Sequence, residues 1–289
     1  MWRLSRAVTS VRQPTVSPWA RAVLALTVAV GISACEGENF QAQVAAAEEA
    51  EDYNVLITLW GDRADADDVE AILQVGALYE TGPESVQDFA AAVSSYRRGV
   101  ELGDTTSMIR LGALYQRGLG VDRDPQEALA LFTQASDLGN PIGFYRVGLL
   151  YDGTNLGPAD YTQAMEWYEL AAEQGVIDAQ VDLANHHFSG LFMPRDTKEA
   201  AKWFREAAEH GHAGSQFRMG FLYRTGNSVP KDIIIAYAWL RLAAARGVAP
   251  AFTHLADIGD ELDAESLATA QALSEEYWEL YVVPFQDGI

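Results

Sequence analysis

Between Ser107 and Gln116, small and large apolar residues recur at helical spacing, with Gly112 in the middle of the stretch. A glycine there leaves room for a second helix to approach closely. The segment predicts a helix, A, packed tightly on a partner. Asp124 then stands before Pro125, an N-cap residue followed by one suited to the first helical turn. Ala128, Leu131, Phe132 and Ala135 continue as an apolar stripe, which makes a second amphipathic helix, B. Gly139 is positioned to end it in a left-handed cap.

This pattern returns every 36 residues. Gly76, Gly112, Gly148 and Gly220 fall in one column, with Ala184 in the remaining place. Tyr79, Tyr115, Tyr151 and Tyr223 fall in another, with His187, and Gly103, Gly139, Gly175, Gly211 and Gly247 form a third. Asp52, Asp88, Asp124, Asp160, Asp196 and Asp232 keep the same register, each followed eight residues later by Trp60, Tyr96, Phe132, Tyr168, Phe204 or Leu240. A fixed period of this length signals stacked units. Neither amphipathic helix can bury its stripe alone, so pairs stack on pairs, and the expected fold is all-α, a right-handed α-solenoid of helix-turn-helix repeats.

The columns Leu111-Gly112-x-x-Tyr115, Gly118-Leu-Gly120-Val121, Asp124, Ala128, Trp167-Tyr168, Ala171-Ala172 and Gly175 closely resemble the Sel-one-like repeat family, relatives of the tetratricopeptide repeats. The resemblance covers Asp52 to Val248. It implies a protein-interaction scaffold, because family members generally hold partners together on their curved surface. Glu49 to Trp60 reads as a lone helix B, giving residues 49–68 as an N-terminal half repeat before five repeats over residues 69–248. Residues 249–289 read as a capping region, with Asp263 capping a last helix whose Leu267, Ala270, Leu273, Tyr277 and Leu280 face the last repeat. The apolar tail Val282-Val283-Pro284-Phe285 folds back on it.

Charge separates the N-terminus from the rest. Residues 1–34 hold Arg3, Arg6, Arg12 and Arg21 with no acidic residue, followed by an apolar run from Ala22 to Ile32, the layout of a secretory signal peptide. The run is too short to span a bilayer as a stable helix. Ile32-Ser33-Ala34-Cys35 resembles the lipobox of bacterial lipoproteins, which implies lipidation of Cys35 and a linker over residues 35–48. The other reading is cleavage near Ala45-Ala46-Ala47 and release as a soluble protein. Cys35 is the only cysteine, so no intrachain disulfide can form. With 41 acidic against 20 basic residues the net charge is -21, a field that repels nucleic acid and anionic lipid.

Binding chemistry is expected on the helix A positions that do not pack, the concave side of a solenoid. Two residues before the signature glycine the column reads Gln74, Arg110, Arg146, Asp182 and Arg218. Three stacked arginines in an acidic chain form a ladder able to grip carboxylates of a partner segment, or else they pair with Asp and Glu nearby. The next column, Ala77, Ala113, Leu149, Asn185 and Phe221, grows larger and more apolar toward the later repeats, as an anchor site would.

Other motifs carry less. His186, His187, His210 and His212 occupy structural columns or flank a turn glycine, so no metal site is expected. Trp167, Trp203 and Trp239 form one helix B column and read as inter-repeat core, and Glu166, Glu169, Glu173, Glu199 and Glu206 as a solvated face. Ser228-Val229-Pro230-Lys231 has the S-x-x-K spacing of penicillin-recognising enzymes but lies in an ordinary inter-helix loop without their partner motifs. The expectation is a non-enzymatic scaffold or regulator of the cell envelope, without cofactor, that binds a protein or peptide segment and meets the membrane only through its lipid. The alternative is a hydrolase or binding protein acting on cell-wall material or β-lactams.

Overall fold

The computed structural model describes residues 39–153, 156–190 and 194–285. The signal-peptide and Cys35 readings lie outside them. The described residues are helical with no strand, and the chain divides into two compact units, Met1–Gln87 and Asp88–Ile289.

In the first unit, residues 39–49 form α1, followed by α2 (Tyr53–Ala64) and α3 (Val69–Thr81). Residues 39–48, expected as a linker, are thus helical. The helix expected from Glu49 to Trp60 is broken by Glu51 at φ 51° and restarts where Asp52 accepts from Val55 N–H. Helix α1 earns its order by covering α2. Val44 and Ala47 join Leu56, Trp60, Ala64, Ala71, Ile72 and Val75 in one core, and the Phe40 ring meets Trp60 edge-on at 4.9 Å.

The second unit runs α4 (Phe89–Glu101), α5 (Thr105–Arg117), α6 (Pro125–Asp137), α7 (Pro141–Asp152), α8 (Tyr161–Glu173), α9 (Ile177–Ser189), α10 (Thr197–Glu209), α11 (Ala213–Thr225), α12 (Ile233–Ala245), α13 (Ala249–Glu261) and α14 (Ala264–Tyr281), ending in a 3-10 turn, Val283–Phe285. From α4 to α13 each helix packs on the next along the chain. This packing of each helix chiefly on its chain neighbours is what a solenoid requires.

The columns explain the register. Every helix B begins at the recurring aspartate. Asp88, Asp124, Asp160, Asp196 and Asp232 each accept from backbone N–H groups in the first turn, a bond worth about 1 kcal/mol. Every helix B from α4 to α12 ends before a glycine at φ 81–84°, a left-handed position that L side chains rarely adopt. Asn140 N–H then closes on Ala135 C=O at 3.0 Å, sealing the end of α6. A Cβ on Gly112 would lie 2.5 Å from the Phe132 ring, and one on Gly148 2.7 Å from the Tyr168 ring. The signature glycine therefore seats the large helix B residue twenty positions on, which is fully buried in each case.

The C-terminal helix departs from the repeat. Asp263 caps it as expected, accepting from Ser266 N–H, but α14 packs mainly on α12 and touches α10. Its buried stripe is Ala270 and Ser274, with Tyr277 tilted against Trp239 at 4.8 Å and Tyr281 stacked on it at 5.3 Å. Leu280, expected on that stripe, is 51% exposed, because it sits one residue off the line of Tyr277 and Tyr281. The tail does fold back: Val282 is buried, and Phe285 reaches the His210 ring and the turn at Gly211.

Candidate functional site

The A helices α5, α7, α9 and α11 each contribute one residue to the arginine column: Arg110, Arg146, Asp182 and Arg218. Their neighbours toward the buried side, such as Ile109, Val147, Leu183 and Met219, are in the core, which turns the column residues outward. Arg110 and Arg218 are exposed and Arg146 is half-buried. No carboxylate among the described residues pairs with Arg146 or Arg218. The Arg146 Nε is buried without a hydrogen-bond partner among the described residues. The Arg218 guanidinium lies 5.7 Å from the Phe188 ring centre, a cation–π contact that leaves its N–H fork unused. Of the two sequence readings of these arginines, internal salt bridges fail for both Arg146 and Arg218.

The adjacent column is less uniform. Leu149 is half-buried against the core of its own unit, Asn185 is exposed, and Phe221 is half-buried with its ring 5.8 Å from His254 of α13. His254 also accepts a hydrogen bond from Arg224 at 2.5 Å, and the Arg224 guanidinium reaches Asp257 at 3.1 Å and Glu261 at 3.5 Å. The apolar anchor at Phe221 is therefore partly roofed by α13.

A polar cluster beside the column escaped the sequence reading. Tyr145 Oη donates to Asp182 Oδ2 at 2.9 Å, joining α7 to α9. Tyr168 Oη donates to Asp152 Oδ2 at 2.9 Å, and His186 Nε2 lies 3.6 Å from that same oxygen, its ring stacked on Tyr168. Burial raises the Asp182 carboxyl above the ordinary carboxylate range, and the charges of Asp152 and Asp178 add to the effect against the Tyr145 bond and His186. Burial first, then the carboxylates, keep both tyrosines protonated well past the ordinary phenol range. The signal was present as three departures from the columns: Tyr145 where the other repeats have Leu73, Ile109, Val181 and Phe217, Asp182 in the arginine column, and His186 in a leucine column.

The remaining candidates stay apart. His187 is 7% exposed with neither ring nitrogen hydrogen-bonded among the described residues, His210 bonds Glu206 C=O, and His212 Nδ1 accepts from Ser215 N–H. No group of three or more His, Cys, Asp or Glu able to hold a metal occurs among the described residues. Trp203 and Trp239 are buried as expected, whereas Trp167 is only half-buried. Of the acidic face, Glu166, Glu169 and Glu173 are exposed and Glu199 and Glu206 half-buried. Ser228, at φ 72° in its loop, spends its hydroxyl on Asn227.

Among solved structures, the chain is similar to a Sel1 repeat protein from Oxalobacter formigenes, 23% identical, with a TM-score of 0.64, over 81% of this chain and 97% of that one. It is also similar to the immunity protein Pa5087 from Pseudomonas aeruginosa, 22% identical over 74% of this chain and 81% of that one, with a TM-score of 0.44. A third, the protective antigen c5321 of uropathogenic Escherichia coli, is 22% identical over 81% of this chain and 66% of that one, with a TM-score of 0.39. No curated protein matches significantly. The Sel1 repeat model matches residues 69–104, 105–140, 145–176, 177–212 and 213–248. With these matches covering more than half its length, the chain belongs to the Sel1 repeat family.

Proposed function

We propose that this chain, in keeping with Sel1 repeat proteins, which are generally protein–protein interaction scaffolds, is a non-enzymatic scaffold or regulator of the bacterial cell envelope, tethered by a lipid at Cys35 after signal cleavage. It binds a protein or peptide segment along the concave helix A surface, through Arg110, Arg146 and Arg218 with Leu149, Asn185 and Phe221. One observation carries the binding surface: in a chain of net charge -21, Arg146 and Arg218 lack carboxylate partners among the described residues. Arginine matches a carboxylate bidentately, so such a column favours an acidic partner segment. The basic, acid-free N-terminus leading to Ile32-Ser33-Ala34-Cys35 supports export and anchoring.

The test is affinity capture from envelope extracts with the mature chain beside a variant carrying Arg110→Glu, Arg146→Glu and Arg218→Glu. A protein retained by the first and lost by the second is the expected result. Equal recovery moves the site off the arginines. Metabolic labelling with palmitate checks the anchor: label on the parent and none on Cys35→Ala is expected, and label on neither removes the lipid.

A further inference from the structure

The helix A column does not carry one sign. Arg110, Arg146 and Arg218 are interrupted at the third place by Asp182, which belongs to the same stack of A helices. Tyr145 fixes the Asp182 carboxylate from the preceding repeat at 2.9 Å, so its position is as defined as that of a core group. Asp152, Asp178 and His186 act on it electrostatically, the last from the same helix, α9. No lysine or arginine among the described residues pairs with Asp182. A carboxylate half-buried without a full counter-charge is costly, and an incoming cation offsets that cost. A partner carboxylate at the same rung meets three acidic side chains and is repelled.

We propose that this surface selects a partner segment by charge order, with acidic residues for Arg110, Arg146 and Arg218 and a lysine or arginine for Asp182. The proposal rests on the arginine column being the binding surface and adds the order of charges that it accepts. Packed helices lie about 8–10 Å apart. An extended chain advances about 3.3 Å per residue. The four rungs therefore fall about three residues apart along an extended partner. Asp182 is the residue that rejects a uniformly acidic segment, which is how a scaffold gains specificity from a repulsive contact as well as attractive ones.

Fluorescent synthetic peptides test this, each with three glutamates and one lysine separated by pairs of neutral residues. The four isomers differ only in which charged place holds the lysine, so net charge is constant. Binding is read by anisotropy at low salt, where screening is weak. One of the two isomers with an internal lysine, depending on chain direction, should bind the full chain about tenfold more tightly than those with a terminal lysine. Asp182→Asn, which keeps an acceptor for Tyr145, should abolish the preference, and Asp182→Arg should make an all-glutamate peptide the tightest ligand. Circular dichroism checks that both variants are folded. A preference that persists in Asp182→Asn, or isomers that bind alike while the triple arginine variant loses all of them, overturns the charge order and leaves the arginine surface standing. Isomers that bind the triple variant as well as the parent, or that bind neither, overturn both.

Discussion

The fifth repeat keeps the family columns of helix A and the fourth departs from them, on the same backbone. In α11, Gly220 makes room for Leu240, and Tyr223 accepts a hydrogen bond from Arg205 at 2.9 Å. In α9, Ala184 replaces the glycine and is fully buried, His187 replaces the tyrosine with both nitrogens unpartnered among the described residues, and Asp182 replaces the arginine. The pairing of α9 with α10 and of α11 with α12 is nonetheless the same. The caps and turns hold the repeat, and the column residues between them are free to change sign and polarity. Departure from the consensus is therefore where a repeat protein acquires its individual chemistry.

This comparison is broken most forcefully at the signature column. In Gly148→Ala the new methyl meets the Tyr168 ring, which is buried and tied to Asp152, so overpacking costs about 1–3 kcal/mol even though alanine is the better helix former. Ala184→Gly, the reverse change in the fourth repeat, costs about 0.5–1 kcal/mol from helix propensity alone. Hydrogen exchange read repeat by repeat separates the two, and a stabilised Gly148→Ala protein would sink the close-approach account.

The start of helix A sharpens it. Asp68, Asp104, Asn140, Val176, His212 and Val248 are 36 residues apart, and all but the two valines cap through a side chain. Val176 instead enters the core at 8% exposure. Asp104→Ala should cost about 1 kcal/mol through the lost cap. Val176→Ala should cost about 1–2 kcal/mol through lost burial. Val176→Asp, which exchanges one for the other, should bring no net gain in denaturant titration. A clear stabilisation by Val176→Asp would show that the valine contributes nothing by packing.

The smallest effect is a pH dependence confined to the fifth repeat. Burial lowers the His212 pKa below its ordinary 6.5, and its neutral Nδ1 accepts the capping bond from Ser215. The unfolded chain then takes the proton first, so this contribution is intact above about pH 6.5. It is lost as pH falls below that value toward the folded pKa. Hydrogen-exchange protection in α11, taken relative to the intrinsic rate at each pH, should fall on acidification in the parent and not in His212→Asn, which caps without titrating; an equal fall in both removes His212 as the cause.

The sequence by itself determined the period, the helix pairs and their limits, because those follow from local chemistry. An aspartate that caps, a glycine that tolerates φ above 80° and an apolar stripe three and four residues apart act within one or two turns of themselves. It also located the arginine column, because register alone aligns residues 36 apart. Only the tertiary structure decided which column residues have partners. Tyr145 reaches Asp182 across 37 positions, His254 roofs Phe221 from α13, and Arg146 and Arg218 are left without carboxylates among the described residues. The same is true of α14, whose stripe turns on Tyr277 and Tyr281 against Trp239 and leaves Leu280 in solvent. Such contacts depend on side chains meeting between helices, at distances that a pattern along the chain does not encode.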